Sequence, residues 1–214
     1  MPTLLQLDSS ADLTGSRSRA ITATFADTWR SLGDDHVVVH RDLHRDPLPH
    51  LADADLHFPP HLRPEGSSVD PAAEAQQSAI IDELLSADVL LVGVPLYNYS
   101  MPSTLKAWVD NIHVPGVTAT FGSAVTRPLA GRPAVLVSTR GGAYDPGTPT
   151  EFDDHAIPAL LLILRDALGM EVETIVDTRT LSERFGGPAT EVDKQHAELR
   201  AAHDSAASAA RRLG

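Results

Sequence analysis

Val89-Leu90-Leu91-Val92-Gly93-Val94 is an apolar run that leads directly into Pro95-Leu96-Tyr97-Asn98-Tyr99-Ser100-Met101-Pro102. A helical pattern follows, with Leu105, Trp108, Val109 and Ile112 at i, i+3, i+4 and i+7. An unbroken apolar strand is what a parallel sheet covered by helices on both faces requires, because neither side of the strand meets water. Ligands of open α/β sheets bind at the carboxyl ends of such strands, so the segment from Pro95 to Tyr99 reads as a ligand loop. Its tyrosines present flat apolar faces with hydroxyls and Asn98 adds a donor and an acceptor. That chemistry suits a planar heteroaromatic ring, with flavin the first candidate.

Strand and helix patterns alternate on either side of this unit. Thr3 to Leu7 reads as a first strand, followed by a helix with Ile21, Phe25, Trp29 and Leu32 on one face that stops at Gly33. Val37 to Val39 supplies a second strand. Asp70-Pro71 pairs a cap residue with a proline suited to the first helical turn, and the helix it opens runs to about Ser86 with Ile80, Ile81, Leu84 and Leu85 inward. Ala134 to Val137 and Val172 to Val176 are the fourth and fifth strands, separated by a helix over 157–168 despite Pro158. Gly186-Gly187-Pro188 launches a last helix with Val192, Leu199, Ala206 and Leu213 along one stripe. Residues 42–70 and 113–131 show no period and read as long loops that wall a site or contact a partner. Five alternating strands predict an α/β fold: a doubly wound, flavodoxin-like parallel sheet of order 2-1-3-4-5, forming a single domain over 1–214.

The 214 residues are 42% hydrophobic and carry a formal net charge of −12, which sets general binding to nucleic acid or an anionic membrane aside. With no cysteine, thiolate nucleophiles, disulfides and Cys-based metal clusters are excluded, so redox chemistry must come from a bound cofactor. No apolar run approaches the roughly 18 to 20 residues of a membrane span, and the expectation is a cytoplasmic protein.

Two further loops carry chemistry. After the first strand, Ser9, Ser10, Thr14, Ser16, Arg17 and Ser18 cluster at a helix start, without Gly-x-Gly-x-x-Gly or a Walker lysine. Hydroxyls, an arginine and free helical N–H groups bind phosphate; capping of the helix by Ser16 or Ser18 is the alternative. After the fourth strand, Thr139-Arg140-Gly141-Gly142 offers backbone donors as an anion-binding concavity, with glycines that let a ligand approach closely. The pairs His40/His44 and His57/His61 lie at a strand end and in a proline-rich loop, so no metal site is assigned and the histidines read as solvated. No Gly-x-Ser-x-Gly elbow is present. The acids of Asp153-Asp154-His155 favour the amino end of the helix that follows.

Leu7-Asp8-Ser9-Ser10, Ser16-Arg17-Ser18, Pro95 to Tyr99 with Pro102-Ser103-Thr104-Leu105-Lys106-Ala107-Trp108, and Thr139 to Gly142 together resemble the FMN-dependent NADH-azoreductase family of flavodoxin-like NAD(P)H:quinone reductases. The resemblance implies FMN as cofactor and NADH or NADPH as co-substrate. Quinones, azo dyes or nitroaromatic compounds would be reduced by ping-pong hydride transfer through flavin N5, with no catalytic side chain required. It implies a homodimer, with the phosphate held by Ser10, Ser16, Arg17 and Ser18, and the ring flanked by Pro95, Leu96, Tyr97, Asn98 and Tyr99. Its pyrimidine edge would be met by Thr139, Arg140, Gly141 and Gly142. Phe121, in Gly116 to Phe121, is similar to the family's pocket-wall aromatic, and Tyr144 joins it as a substrate-pocket residue. Leu96 and Tyr99 stand where methionine and phenylalanine are common, and Thr139 where serine is common. The other reading of such a fold is an electron carrier without its own small-molecule substrate.

Overall fold

The computed structural model describes residues 1–121 and 127–214. Five strands, β1 (Thr3–Asp8), β2 (Val37–Asp42), β3 (Val89–Pro95), β4 (Pro133–Thr139) and β5 (Glu171–Asp177), form one parallel sheet of order β2-β1-β3-β4-β5. The expected strands and their order are all present, each with ends extended by one to three residues. Alternation along the strands divides the core into two layers. Leu5, Leu7, Leu90, Val92 and Leu136 face α2 (Pro71–Ser86), α3 (Ser103–Ile112) and α4 (Ile157–Leu161), where they meet Ile80, Leu84, Leu105, Trp108 and Leu160. Leu4, Val89, Leu91, Val135 and Val137 face α1 (Arg17–Arg30) and α5 (Ala189–Leu213), where they meet Ile21, Phe25 and Trp29.

Local chemistry sets the helix ends. The Asp70 side chain accepts from Ala72 N and Pro71 occupies the first turn of α2, as expected. Helix α1 stops earlier than Gly33: Ser31 closes it, its N–H donating to Asp27 O at 3.1 Å, and Leu32 lies beyond the last turn. The helix expected over 157–168 is a composite, an α-helical turn carrying Pro158 followed by a π-helical segment, Leu162–Ala167, in which Leu168 N donates to Ile163 O. Proline costs little in a first turn, where its missing N–H has no partner to lose.

The two irregular segments differ from expectation. Within 43–70 two short 3-10 turns form, and Leu56 is buried with its carbonyl accepting from Gln77 Nε2 of α2. Residues 113–121 fold around Thr118, whose hydroxyl donates to Ile112 O and accepts from Val114 N; the expected loop's residues 122–126 lie outside the described ones. His40 is exposed as expected but stands on β2 and not in a loop, with Nε2 2.9 Å from Asp8 Oδ2, beside Gln6 and Thr22 on the same buried carboxylate.

Helices α1 and α5 pack through small residues, Ala202, Ala206, Ala209 and Ala210 being buried against the Phe25 and Trp29 layer. Ala206→Leu inserts three carbons where there is no space for them. It is expected to lower unfolding free energy by about 1–3 kcal/mol in urea titrations, whereas Ala207→Leu, on the wetter face, changes little.

Candidate functional site

Tyr97 N donates to Ser100 O at 2.9 Å and Ser100 N donates back to Tyr97 O at 3.0 Å. Between them Asn98 (φ 48°) and Tyr99 (φ 69°) both take left-handed backbone, so the tip after β3 is a two-residue turn of the mirror-image type. Asparagine suits such a turn; tyrosine costs about 1–2 kcal/mol there. The turn is fastened on both sides. Leu96 N donates to Thr139 O at 2.8 Å, and the Tyr97 hydroxyl lies 3.1 Å from Ser10 Oγ while accepting from Ala11 N at 3.0 Å. The loops after β1, β3 and β4 are thus joined.

Next to this tie lies a cavity of about 330 Å³ lined by Ser10, Asp12, Gly15, Ser16, Arg17, Pro95, Tyr97 and Thr139, and by Thr180, Leu181 and Arg184 from the loop after β5. Ser16 is the α1 cap, its Oγ accepting from Arg19 N at 3.3 Å, and it also faces the cavity, so the two readings of that serine are compatible. Ser18 is buried behind it, 3.1 Å from the Ser16 hydroxyl. Arg17 reaches Asp177 at 3.3 Å. Burial pushes the Asp177 carboxyl up to about 6 despite that arginine, which pulls the other way. Arg19 binds both Ser10 O and the carboxylate of Asp42. Burial would raise Asp42, yet the hydrogen bonds from Arg19 and from the Arg45 and His44 backbone bring it down to about 2.

The loop after β4 is held differently from the expectation. Arg140 Nη2 lies 2.8 Å from Asp154 Oδ2, its Nε donates to Ser138 Oγ, and its guanidinium sits 5.6 Å from the centre of the Tyr144 ring. The other oxygen of Asp154 accepts from Ala156 N and Ile157 N at the start of α4, as the helix-end reading of that acid predicts. Gly141 and Gly142 do not use left-handed backbone. A Cβ at Gly141 would lie 2.8 Å from Leu181 Cδ1, the tip of a half-exposed side chain that can turn aside, so the close contact there does not by itself demand glycine. Burial raises the Tyr144 hydroxyl above its ordinary value, with Tyr99 and Asp153 adding to the shift.

A second cavity of about 520 Å³ opens on the other side of Tyr97, lined by Asn98, Met101, Pro102, Lys106 and Ala159 among others. The structure therefore brings Ser10, Ser16, Arg17, Pro95, Tyr97, Asn98 and Thr139 together on the two cavities. Ser18, Leu96, Tyr99, Arg140, Gly141, Gly142 and Tyr144 stand in the loops behind or beside them. Phe121, 45% exposed and next to Gly116, lines neither, and neither does any residue of 43–70. Sequence reasoning missed Thr180, Leu181 and Arg184. Their signal was position, since they follow the fifth strand at the same edge. It also missed Arg179, buried at φ 59° with Asp145, Glu191 and Glu198 around its guanidinium.

This donor set fits FMN. A hydroxyl-lined helix start with arginines takes a phosphate, and the aromatic turn with an adjoining apolar-walled cavity takes a planar ring; both volumes fall in the usual ligand range of ~300–1,000 Å³.

A sequence model described as "Flavodoxin-like fold" matches residues 2–205, and the chain belongs to that family. It is 52% identical over 213 residues, covering 100% of both chains, to a protein of Kineococcus radiotolerans named FMN-dependent NADH:quinone oxidoreductase. It is 38% identical to one of the same name from Streptomyces avermitilis, covering 100% of this chain and 97% of that one. Among solved structures, an azoreductase from Bacillus anthracis superposes with a TM-score of 0.82 at 20% identity, over 99% of this chain and 100% of that one. An FMN-dependent NADH-azoreductase from the same species, in complex with FMN, gives 0.79 at 20%, over 100% and 99%. These likenesses show the shared fold.

Two outcomes follow from this geometry. Because the folded-state pKa of Asp177 lies above the ordinary 3.8, its contribution to stability is full below that value and is lost as pH rises to about 6. Asp177→Asn, whose amide oxygen still accepts from Arg17 so that the arginine keeps a partner, is therefore expected to melt several degrees above the parent at pH 7, the difference vanishing toward pH 4 in calorimetry. Tyr99→Gly relieves the left-handed backbone at the turn, so its melting temperature should equal or exceed the parent's while its flavin affinity, read by fluorescence titration, falls several-fold.

Proposed function

We propose that the chain is an FMN-dependent oxidoreductase that uses NADH or NADPH to reduce quinones and azo or nitroaromatic compounds. It acts as a homodimer of single-domain subunits, 1–214, in the cytoplasm. The observation that carries this reading is the Tyr97 hydroxyl bridging to Ser10 Oγ and Ala11 N. It makes one crevice of a phosphate-type cavity and an aromatic cavity, in a chain 52% identical over its full length to a named FMN-dependent NADH:quinone oxidoreductase.

FMN when bound supplies the hydride relay between nicotinamide donor and organic acceptor. The chain's own groups bind and orient. Ser10, Ser16 and Arg17 would hold the phosphate with Ser18 behind them, Pro95 to Tyr99 would flank the ring, and the backbone of Thr139 to Gly142 would meet its pyrimidine edge. Arg140, paired with Asp154 and laid over Tyr144, fixes the shape of that edge. Phe121 and Tyr144 line neither cavity of the single subunit; in this reading they wall the substrate side once a second subunit closes over the ring.

The homodimer is supported by exposed apolar side chains, Tyr99 (56%), Phe152 (81%) and Leu162 (63%), on segments that meet where His155 N donates to Tyr99 O. Large exposed apolar residues gathered near a site mark an interaction surface. A nicotinamide co-substrate supports the cytoplasmic reading. Among the described residues no helix is long and apolar enough to cross a membrane.

The purified protein is expected to show a flavin absorption spectrum, to release FMN on heating, to bleach with NADH or NADPH under anaerobic conditions, and to recover on addition of a quinone. Light scattering should give twice the 22.9 kDa chain mass. Release of FAD would overturn the cofactor assignment, and a flavin that no nicotinamide reduces would favour an electron carrier instead.

A further inference from the structure

We propose that Arg184, on the loop after β5, is the decisive phosphate-binding cation of the crevice, acting directly on the FMN phosphate alongside Arg17. The inference rests on the FMN reading above and adds a residue to it. Arg184 lines the same cavity as Ser10, Ser16 and Arg17, from the opposite wall. Charge decides its importance. Arg17 is matched by the Asp177 carboxylate at 3.3 Å, and the Asp12 carboxylate also lines the cavity, its pKa held down by hydrogen bonds from Gly15 and Thr14 N–H. Without Arg184 the side chains around the cavity are net negative, and a phosphate monoester brings a further charge of roughly −1.5 to −2 at neutral pH. The free N–H groups of α1 contribute only a partial positive charge. Among the described residues no carboxylate lies within ion-pair distance of Arg184, and its guanidinium rests 5.8 Å from the centre of the Phe185 ring.

The loop that carries Arg184 is built rather than loose. Gly187 N donates to Ser182 O, Phe185 N to Leu181 O, and Glu183 N to Gln195 Oε1 of α5. At its base the buried Arg179 binds Glu191 and Glu198 of α5 and Asp145 of the loop after β4, and Arg179 N donates to Gly142 O. Leu181, directly before this turn, fills the space that Gly141 leaves by having no side chain. Three elements therefore converge to fix one exposed arginine at the mouth of the phosphate cavity.

The test is a flavin titration of the apoprotein, followed by fluorescence, with FMN and with riboflavin, which lacks the phosphate. Arg184→Ala should weaken FMN roughly ten-fold to a hundred-fold, the range of a charge-assisted hydrogen bond, while riboflavin affinity stays within about two-fold. Arg184→Lys should recover part of the loss, and Arg211→Ala, the same charge change at the far end of α5, should alter neither. Equal losses for both flavins, or none, would overturn the role of Arg184. So would an effect confined to the KM for NADPH relative to NADH, which would assign the arginine to the nicotinamide nucleotide. A parent protein that takes up neither flavin would refute the FMN reading itself, a result separable from the others because it precedes any substitution.

Discussion

Parallel register places Asp8 beside Gly93 and Pro95 beside Thr139, so β1 ends two residues before β3 and β4 and all three release their loops from one edge. Each loop inherits a backbone group that the ladder no longer satisfies, and the first hydrogen bond beyond the ladder, Leu96 N to Thr139 O, continues the pairing into the loops themselves. From that contact the Tyr97 turn gains a fixed direction, which lets its hydroxyl reach Ser10 and Ala11 across the top of β1. The crevice is thus a consequence of the sheet's register more than of any single loop. A shift of β4 by one residue would carry Thr139 away from Leu96 and reverse every side chain between the two core layers.

Charge is the second constraint, because a chain of net charge −12 must still receive a phosphate. It does so by gathering arginines at the carboxyl edge and pairing most of them. Arg19 joins Asp42 to the Ser10 carbonyl, Arg17 meets Asp177, Arg140 meets Asp154, and Arg179 meets three acids. Paired and partly buried charges of this kind add little net stability but fix geometry, since leaving one partner alone is strongly unfavourable. Such pairs act as struts between loops from different strands, while Arg184 faces the cavity outside any ion pair among the described residues, its charge offset by Asp12 on the same cavity.

Features governed by neighbours in sequence were legible. The apolar strands, the Asp70-Pro71 start of α2 and the Leu105, Trp108, Val109, Ile112 face of α3 each follow from spacing within one element, and all appear where expected. Features set by distant partners were not. Gly33 resembles a helix stop, yet α1 ends at Arg30 with Ser31 as its cap. Gly141 suggests unusual backbone or ligand approach, whereas its backbone is ordinary and the side chain packed nearest to it is Leu181, forty residues away. Arg179 and Arg184 carry no motif at all; their meaning depends on α5 and on the loop after β4. Residues 42–70 drew attention as an aperiodic stretch, but Leu56 shows that they cover α2 and α3 rather than the crevice.

The tyrosine at the tip of the β3 turn joins these strands of reasoning. A glycine at position 99 would satisfy the left-handed backbone at no steric cost, and the reciprocal Tyr97 and Ser100 hydrogen bonds would hold the turn equally well. A side chain kept where backbone physics disfavours it, and 56% exposed, gains nothing for the folded chain on its own. Its neighbours are Asn98 on the cavity wall, His155 through the backbone, and Tyr144 beneath Arg140. The strain is stored where a flat ligand and a second subunit would both lie, and ordering either against that ring would recover the cost.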